Sequence, residues 1–510
     1  PEIVAFTSQT PDIKAFICIT ASHNPIGWNG IKLGDANGVF GGETAKCLAN
    51  RLHEYCLQPD ILQKRLEEYQ SVNNEQVFTL INEAPVWKEA ALFAYQRWTD
   101  TVAFEGNQNL KLQLKTSLQK KPLGVVMDMN GSARASTIDV EYLRQTGCKV
   151  HCINERPRDF AHAIVPEGDS LLPCWQELKK LRLSSPEFEI GCVPDNDGDR
   201  GNLVIAGRTI SAQEVFALSL ISELCWLKWK EDMSQRHDQS GNKKIAVVVN
   251  DASSLRIDSI CDLFNAEIFR AEVGEANLVQ LAQELRSNGY VVRILGEGSN
   301  GGTILHPARI RDPINTIVSL CKFIRLPAEE NQASPWQIWL NLCGLPLDTP
   351  ASLEQALETL PVFQTTGAYE ERAVRKNTCP NHAALKSAYE KLFEQFWQTR
   401  KMELKSRFNV HSFKWINTEG TVVRHGIGPQ NRSGDESGGM TIQLLNDMGK
   451  PIGFFWMRGS KTEPVFRLMV DIKSDNPEDE RILFDYHRNL LDQADTIAKT
   501  ERLAASDKQE

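Results

Sequence analysis

The chain has 510 residues, more than a single hydrophobic core accommodates, so several domains are expected. Hydrophobic residues make up 41% and charged residues 24%, the balance of an ordinary globular protein. The formal net charge of −9 argues against a nucleic-acid-binding surface and leaves room for a local basic pocket.

No apolar run approaches the length that spans a bilayer, and Pro1–Thr20 lacks the layout of a signal peptide. Twelve cysteines are scattered without a Cys-x-x-Cys pair, as expected of free thiols in a reducing cytoplasm. A cytoplasmic protein with no nucleic-acid or membrane partner is the expectation.

In chain order, Pro1–Gln9 reads as a helix with proline at its start, leading to an apolar strand over Ala15–Thr20. A helical stretch over Cys47–Arg65 follows, then a strand at Leu123–Met127 and a helix at Ile138–Gly147. The pattern repeats with the strand Glu189–Val193, the helix Ala212–Lys228, and strands at Ile245–Val249 and Val291–Leu295. Strands Gly453–Met457 and Val465–Ile472 close the series. Alternating strands and helices predict α/β domains with mostly parallel sheets. Breaks at Lys120–Pro122, the polar stretch Gln235–Lys244 and the charged helical segment Thr365–Ser406 divide the chain into four parts: 1–121, 122–240, 241–370, and a helical linker with a strand-rich unit over 371–510.

Four strand-end loops carry side chains suited to chemistry. The first, Thr20-Ala-Ser-His-Asn-Pro25 with Asn29-Gly-Ile-Lys32, sets a hydroxyl beside an imidazole and an ammonium. Ser22 could there carry a phosphoryl group, with His23 and Lys32 handling charge and protons. A plain polar turn has the same composition.

The second, Pro194-Asp-Asn-Asp-Gly-Asp-Arg200, alternates carboxylates at Asp195, Asp197 and Asp199. An extended loop brings all three to one side, where hard oxygen ligands suit Mg²⁺, and Arg200 adds a cation. An EF-hand loop requires glycine at its sixth position and glutamate at its twelfth. Arg200 and Ala206 stand there instead, so that reading fails.

The third, Gly296-Glu-Gly-Ser-Asn-Gly-Gly302, offers Glu297 and Ser299 to sugar hydroxyls, or is a flexible glycine turn. The fourth, Arg458-Gly-Ser-Lys-Thr-Glu-Pro464, combines a guanidinium, an ammonium and two hydroxyls around a turn. It suits a phosphate cradle or a charged hairpin.

Taken in order, the Ser-His-Asn-Pro, Asp-x-Asp-x-Asp-Arg, Gly-Glu-x-Ser and Arg-x-Ser-x-Thr-Glu-Pro loops closely resemble the α-D-phosphohexomutase superfamily of phosphoglucomutases and phosphomannomutases. The resemblance covers Pro1 to about Ile472. It implies three successive mixed or parallel-sheet α/β domains and a C-terminal α+β domain around a central cleft. It further implies that Ser22 is phosphorylated, that Asp195, Asp197 and Asp199 hold Mg²⁺ against it, and that His23, Lys32 and Arg200 are active-site residues, Lys32 as a general base. Glu297 and Ser299 match the sugar-reading pair, and Arg458, Ser460, Lys461 and Thr462 the loop gripping the phosphate that is not being transferred.

The implied reaction interconverts hexose 1-phosphate and hexose 6-phosphate, of mannose or glucose, through a hexose 1,6-bisphosphate. The implied enzyme is a monomer or homodimer. A phosphoglucosamine mutase, a sugar-phosphate phosphatase and a non-catalytic sugar-phosphate-binding or regulatory homologue are the alternatives.

Three departures from the family pattern stand out. Gly301-Gly302 ends the sugar loop, where a histidine or similar side chain is usual. Glu275-Ala-Asn277 follows Val273-Gly274 where a basic residue is common, a loss that His306, Arg309 or Arg311 could make good. The family's first strand and its Gly-Thr-x-Gly-x-Arg loop have no counterpart ahead of Pro1, which predicts a first sheet with an open edge beside Ala15–Thr20.

Overall fold

The computed structural model describes residues 1–20, 22, 24, 27–70, 74–163, 165, 167–234, 244–328, 332–432, 438–459 and 465–506. It is a mixed α/β structure that forms two compact units. One comprises Pro1–Gly201 with Ile304–Val318, the other Asn202–Thr303 with Ser319–Glu510.

The first unit opens with helix Glu2–Gln9 and a three-stranded sheet of Phe16–Ile19, Ile31–Asp35 and Gly38–Val39. This sheet is antiparallel, Cys18 facing Lys32 across the pair, where the alternation of elements predicts parallel strands. The physical reason is the connection: a short loop can return a strand antiparallel, whereas a parallel return needs a long crossover. Among the described residues Phe16–Ile19 is paired along one edge only, and Ile17 and Ile19 are 69% and 73% exposed.

The stretch read as one helix over Cys47–Arg65 is two, Gly42–Cys56 and Pro59–Gln70. Pro59 cannot donate to a preceding turn but is well placed to start a new helix. Helix Asn74–Phe104 then buries Tyr95 near its end. The parallel strands Lys149–Ile153, Gly124–Asp128 and Phe188–Pro194 lie side by side in that order, the middle one wholly buried. Buried on both faces, it reads as an unbroken apolar run.

The second unit contains the parallel strands Glu267–Ala271, Ala246–Asn250 and Ile294–Glu297. Its other sheet is antiparallel, in the order Gln364–Thr365, Val465–Ile472, Pro451–Gly459, Gly439–Leu445, Ser412–Glu419, Val422–His425. Helices His382–Phe408 and Pro477–Ser506 share a core with it, in which Phe393 meets Phe455 and Trp415 edge to face. No helix among the described residues is long and apolar enough to cross a membrane.

Candidate active site

Two strand ends of the first unit build the site. Strand Phe16–Ile19 delivers Thr20 and Ser22, and strand Phe188–Pro194 delivers the aspartate loop. Ser22 has φ 54°, a left-handed backbone that serine adopts at a cost and that marks sites of function. Its N–H donates to Thr20 Oγ1 at 2.9 Å, and Thr20 Oγ1 donates to Asp197 Oδ2 at 2.9 Å. Arg200 Nη2 donates to Ser22 Oγ at 2.5 Å, while its Nε holds Asp195 Oδ2 at 2.8 Å. The serine hydroxyl and the first aspartate thus share one guanidinium.

Asp195, Asp197 and Asp199 each turn a carboxylate oxygen to a common point, these atoms lying within 4.8 Å of one another. Asp195 and Asp199 are buried. Asp197 Oδ1 and Asp199 Oδ1 are shielded from solvent and accept no hydrogen bond, Arg200 Nε standing 3.5 Å from the latter. Buried carboxylate oxygens without donors are costly unless a cation meets them, so the donor set fits a hard divalent ion.

Lys32 reaches in from the paired strand, Nζ standing 2.8 Å from Asp197 and 3.1 Å from Asp199, and Arg311 Nη2 lies 2.8 Å from Asp199 Oδ2. Burial pushes the Asp195 carboxyl up to about 7, against the pull of Arg200. Burial also works to raise Asp199, but Arg311, Lys32 and Arg200 outweigh it and hold that carboxyl well below the usual range. For Lys32 burial favours the neutral amine, yet Asp199 and Asp197 raise its pKa above the ordinary value. The two carboxylates thus favour the charged form of Lys32, the residue that the resemblance implies as a general base.

Behind the loop stands Arg134, a residue that sequence reasoning missed. It is buried, and its Nε donates to Gly198 O at 2.7 Å. Its Nη1 donates to Tyr95 Oη at 2.6 Å, and its Nη2 to Asp312 Oδ1 at 2.7 Å. One side chain therefore ties the aspartate loop to the residue beside Arg311. No periodicity or motif around Asn130-Gly-Ser-Ala-Arg134 signals this, because its partners are distant in sequence. A cleft of about 690 Å³, lined by Thr20, Asn24, Trp28, Arg158, Asn196 and Asp197 among others, opens onto the site.

In the second unit Glu297 and Ser299 are buried and engaged. Glu297 accepts from Gly274 N–H at 2.8 Å and from Asn300 Nδ2 at 2.9 Å, and Ser299 Oγ accepts from Asn250 Nδ2 at 2.7 Å. Gly301 has φ +70°, and a Cβ there would lie 2.4 Å from Asn202 Oδ1, so only glycine fits. Arg458 is ion-paired with Glu272 at 2.9 Å. Of the cations considered as replacements, Arg311 and Arg309 belong to the first unit, where Arg311 is committed to Asp199 and Arg309 hydrogen-bonds the Asn37 side chain. His23, Ser460, Lys461 and Thr462 lie outside the described residues.

The family described as phosphoglucomutase/phosphomannomutase, alpha/beta/alpha domain I, matches residues 2–54. A protein of Methanopyrus kandleri named probable phosphoglucosamine mutase is 27% identical over 303 residues, 58% of this chain and 54% of that one. A phosphoglucomutase/phosphomannomutase of Thermococcus kodakarensis is 26% identical over 289 residues, 56% of this chain and 52% of that one. The matched region thus spans about half the length of these relatives.

A crystal structure of a phosphoglucomutase/phosphomannomutase family protein from Burkholderia thailandensis superposes with a TM-score of 0.52 at 16% identity, over 97% of this chain and 81% of that one. The chain resembles the phosphohexomutase superfamily in sequence and has its multi-domain α/β fold.

Proposed function

We propose that this chain is a phosphohexomutase that moves a phosphoryl group between the 1- and 6-positions of a hexose through phosphorylated Ser22. The observation that carries the reading is the contact of Arg200 with both the Ser22 hydroxyl and Asp195, 2.5 Å and 2.8 Å away. In the proposed reaction the free hydroxyl of a hexose monophosphate attacks the phosphorus on Ser22. The new P–O bond forms as the bond to Ser22 Oγ breaks, and the proton leaving the attacking hydroxyl is taken up, in net, by Ser22 Oγ. The bisphosphate then returns its other phosphoryl group to Ser22.

Arg200, fixed by Asp195, donates to the serine oxygen as charge develops on it. Lys32 and Arg311 add positive charge around the carboxylates. A divalent cation such as Mg²⁺, held by Asp195, Asp197 and Asp199, supplies charge neutralisation to the group in transfer when bound.

The expected sugar is mannose or glucose. The names of the matched relatives bring glucosamine forward as the competing choice. ³¹P NMR of glucose, mannose and glucosamine 1-phosphates with Mg²⁺ and catalytic hexose 1,6-bisphosphate tests the reading. A growing 6-phosphate resonance for at least one sugar supports it. Unchanged spectra for all three refute it.

A further inference from the structure

The ion pair of Arg458 with Glu272 is built into the second unit. Glu272 follows strand Glu267–Ala271, and Arg458 stands near the end of strand Pro451–Gly459. The backbone N–H of Glu272 donates to Gly420 O at 2.8 Å, and Gly420 N–H donates to Glu272 Oε2 at 2.9 Å. One carboxylate oxygen is thereby fixed by the hairpin tip. The other, Oε1, accepts from both Nε and Nη2 of Arg458, at 3.1 and 2.9 Å.

Glu272 is 5% exposed, so water screens this pair weakly. A second carboxyl, Asp251, is 3% exposed beside it. Burial pushes the Asp251 carboxyl up, while the Trp456 side chain and then Arg458 pull it down. Glu272 is thus the carboxylate in direct contact with Arg458.

We propose that Glu272 is a built-in competitor for the anion that Arg458 takes, resting on the reading of Arg458 as a phosphate contact. A carboxylate and a phosphate present similar paired acceptors to a guanidinium. A phosphate reaching Arg458 must either displace Glu272 from the Nε–Nη2 edge or bind at Nη1 to an arginine whose charge is balanced. Both routes weaken the grip. In a reaction whose bisphosphate must be released from one orientation and held in the other, such a counterion keeps the grip reversible.

The test is calorimetric binding of inorganic phosphate and of glucose 6-phosphate to the full chain and its variants. Glu272→Gln and Glu272→Ala should bind about tenfold tighter than wild type, Arg458→Ala weaker, and the tightening should vanish in the Arg458→Ala/Glu272→Gln pair. If Arg458→Ala weakens binding while both Glu272 variants bind no tighter than wild type, the competitor role is refuted and the reading of Arg458 stands. If Arg458→Ala binds like wild type, the reading of Arg458 fails, and the competitor role with it.

Discussion

Arg134 Nε donates to the carbonyl oxygen of Gly198 at 2.7 Å, and Arg134 Cγ lies 2.7 Å from where a Cβ on Gly198 would stand. The arginine both anchors the aspartate loop and forbids a side chain at its centre.

Gly198 also has φ +71°, so alanine there is strained as well as crowded. Gly198→Ala should destabilise the protein by about 1–3 kcal/mol and weaken divalent-cation binding by displacing Asp197 and Asp199. Thermal unfolding and Mn²⁺ titration calorimetry check this. A variant that melts and binds Mn²⁺ like wild type would mean that Arg134 does not hold the loop.

Asp197 lies between two other carboxylates and keeps one oxygen without a donor. Replacing it with asparagine removes one anionic ligand, and Mn²⁺ affinity should drop at least tenfold while Lys32 loses a partner. Chelation of divalent metal should likewise stop phosphoryl transfer in the wild-type chain. Unchanged Mn²⁺ affinity in Asp197→Asn would remove the cation from this loop.

Two buried groups of the second unit give stability opposite pH slopes. Burial pushes Asp251 up to about 7, so between its unfolded value near 4 and about 7 the native state keeps a proton that the unfolded chain gives up. Stability from this group falls as pH rises through that window. His487 is lowered to about 4 by burial; its ring lies 2.6 Å from Tyr389 Oη and 2.9 Å from Trp456 O, so the neutral tautomer is matched at both nitrogens. Its contribution is lost as pH falls from about 6.5 toward 4.

Urea unfolding across this range should show Asp251→Asn gaining on wild type as pH rises to 7, by on the order of a few kcal/mol. His487→Leu should gain on wild type as pH falls. A pH-independent difference for either variant would contradict the burial argument.

Much of the fold was legible because strands buried on both faces read as short apolar runs. Gly124–Asp128 and Ala246–Asn250 fall within a residue of their expected places. The aspartate loop was legible for a different reason: carboxylates on alternate residues after a strand can serve one point in space. The antiparallel pairing of Phe16–Ile19 was not, because strand direction is set by the connection and the partner. Arg134, Tyr95 and Asp312 were hidden because three single residues separated by up to 217 positions meet only once the chain has folded. The Glu272–Arg458 pair, 186 residues apart, was hidden likewise.

The central claim is that Ser22 carries the phosphoryl group. The most direct measurement is mass spectrometry of the protein after incubation with Mg²⁺ and ³²P-labelled glucose 1,6-bisphosphate, with Ser22→Ala in parallel. The expected result is a labelled phosphopeptide containing Ser22, chased by unlabelled hexose monophosphate and missing from Ser22→Ala. Label that stays on the Ser22→Ala chain, or a wild-type Ser22 peptide with none, would contradict it.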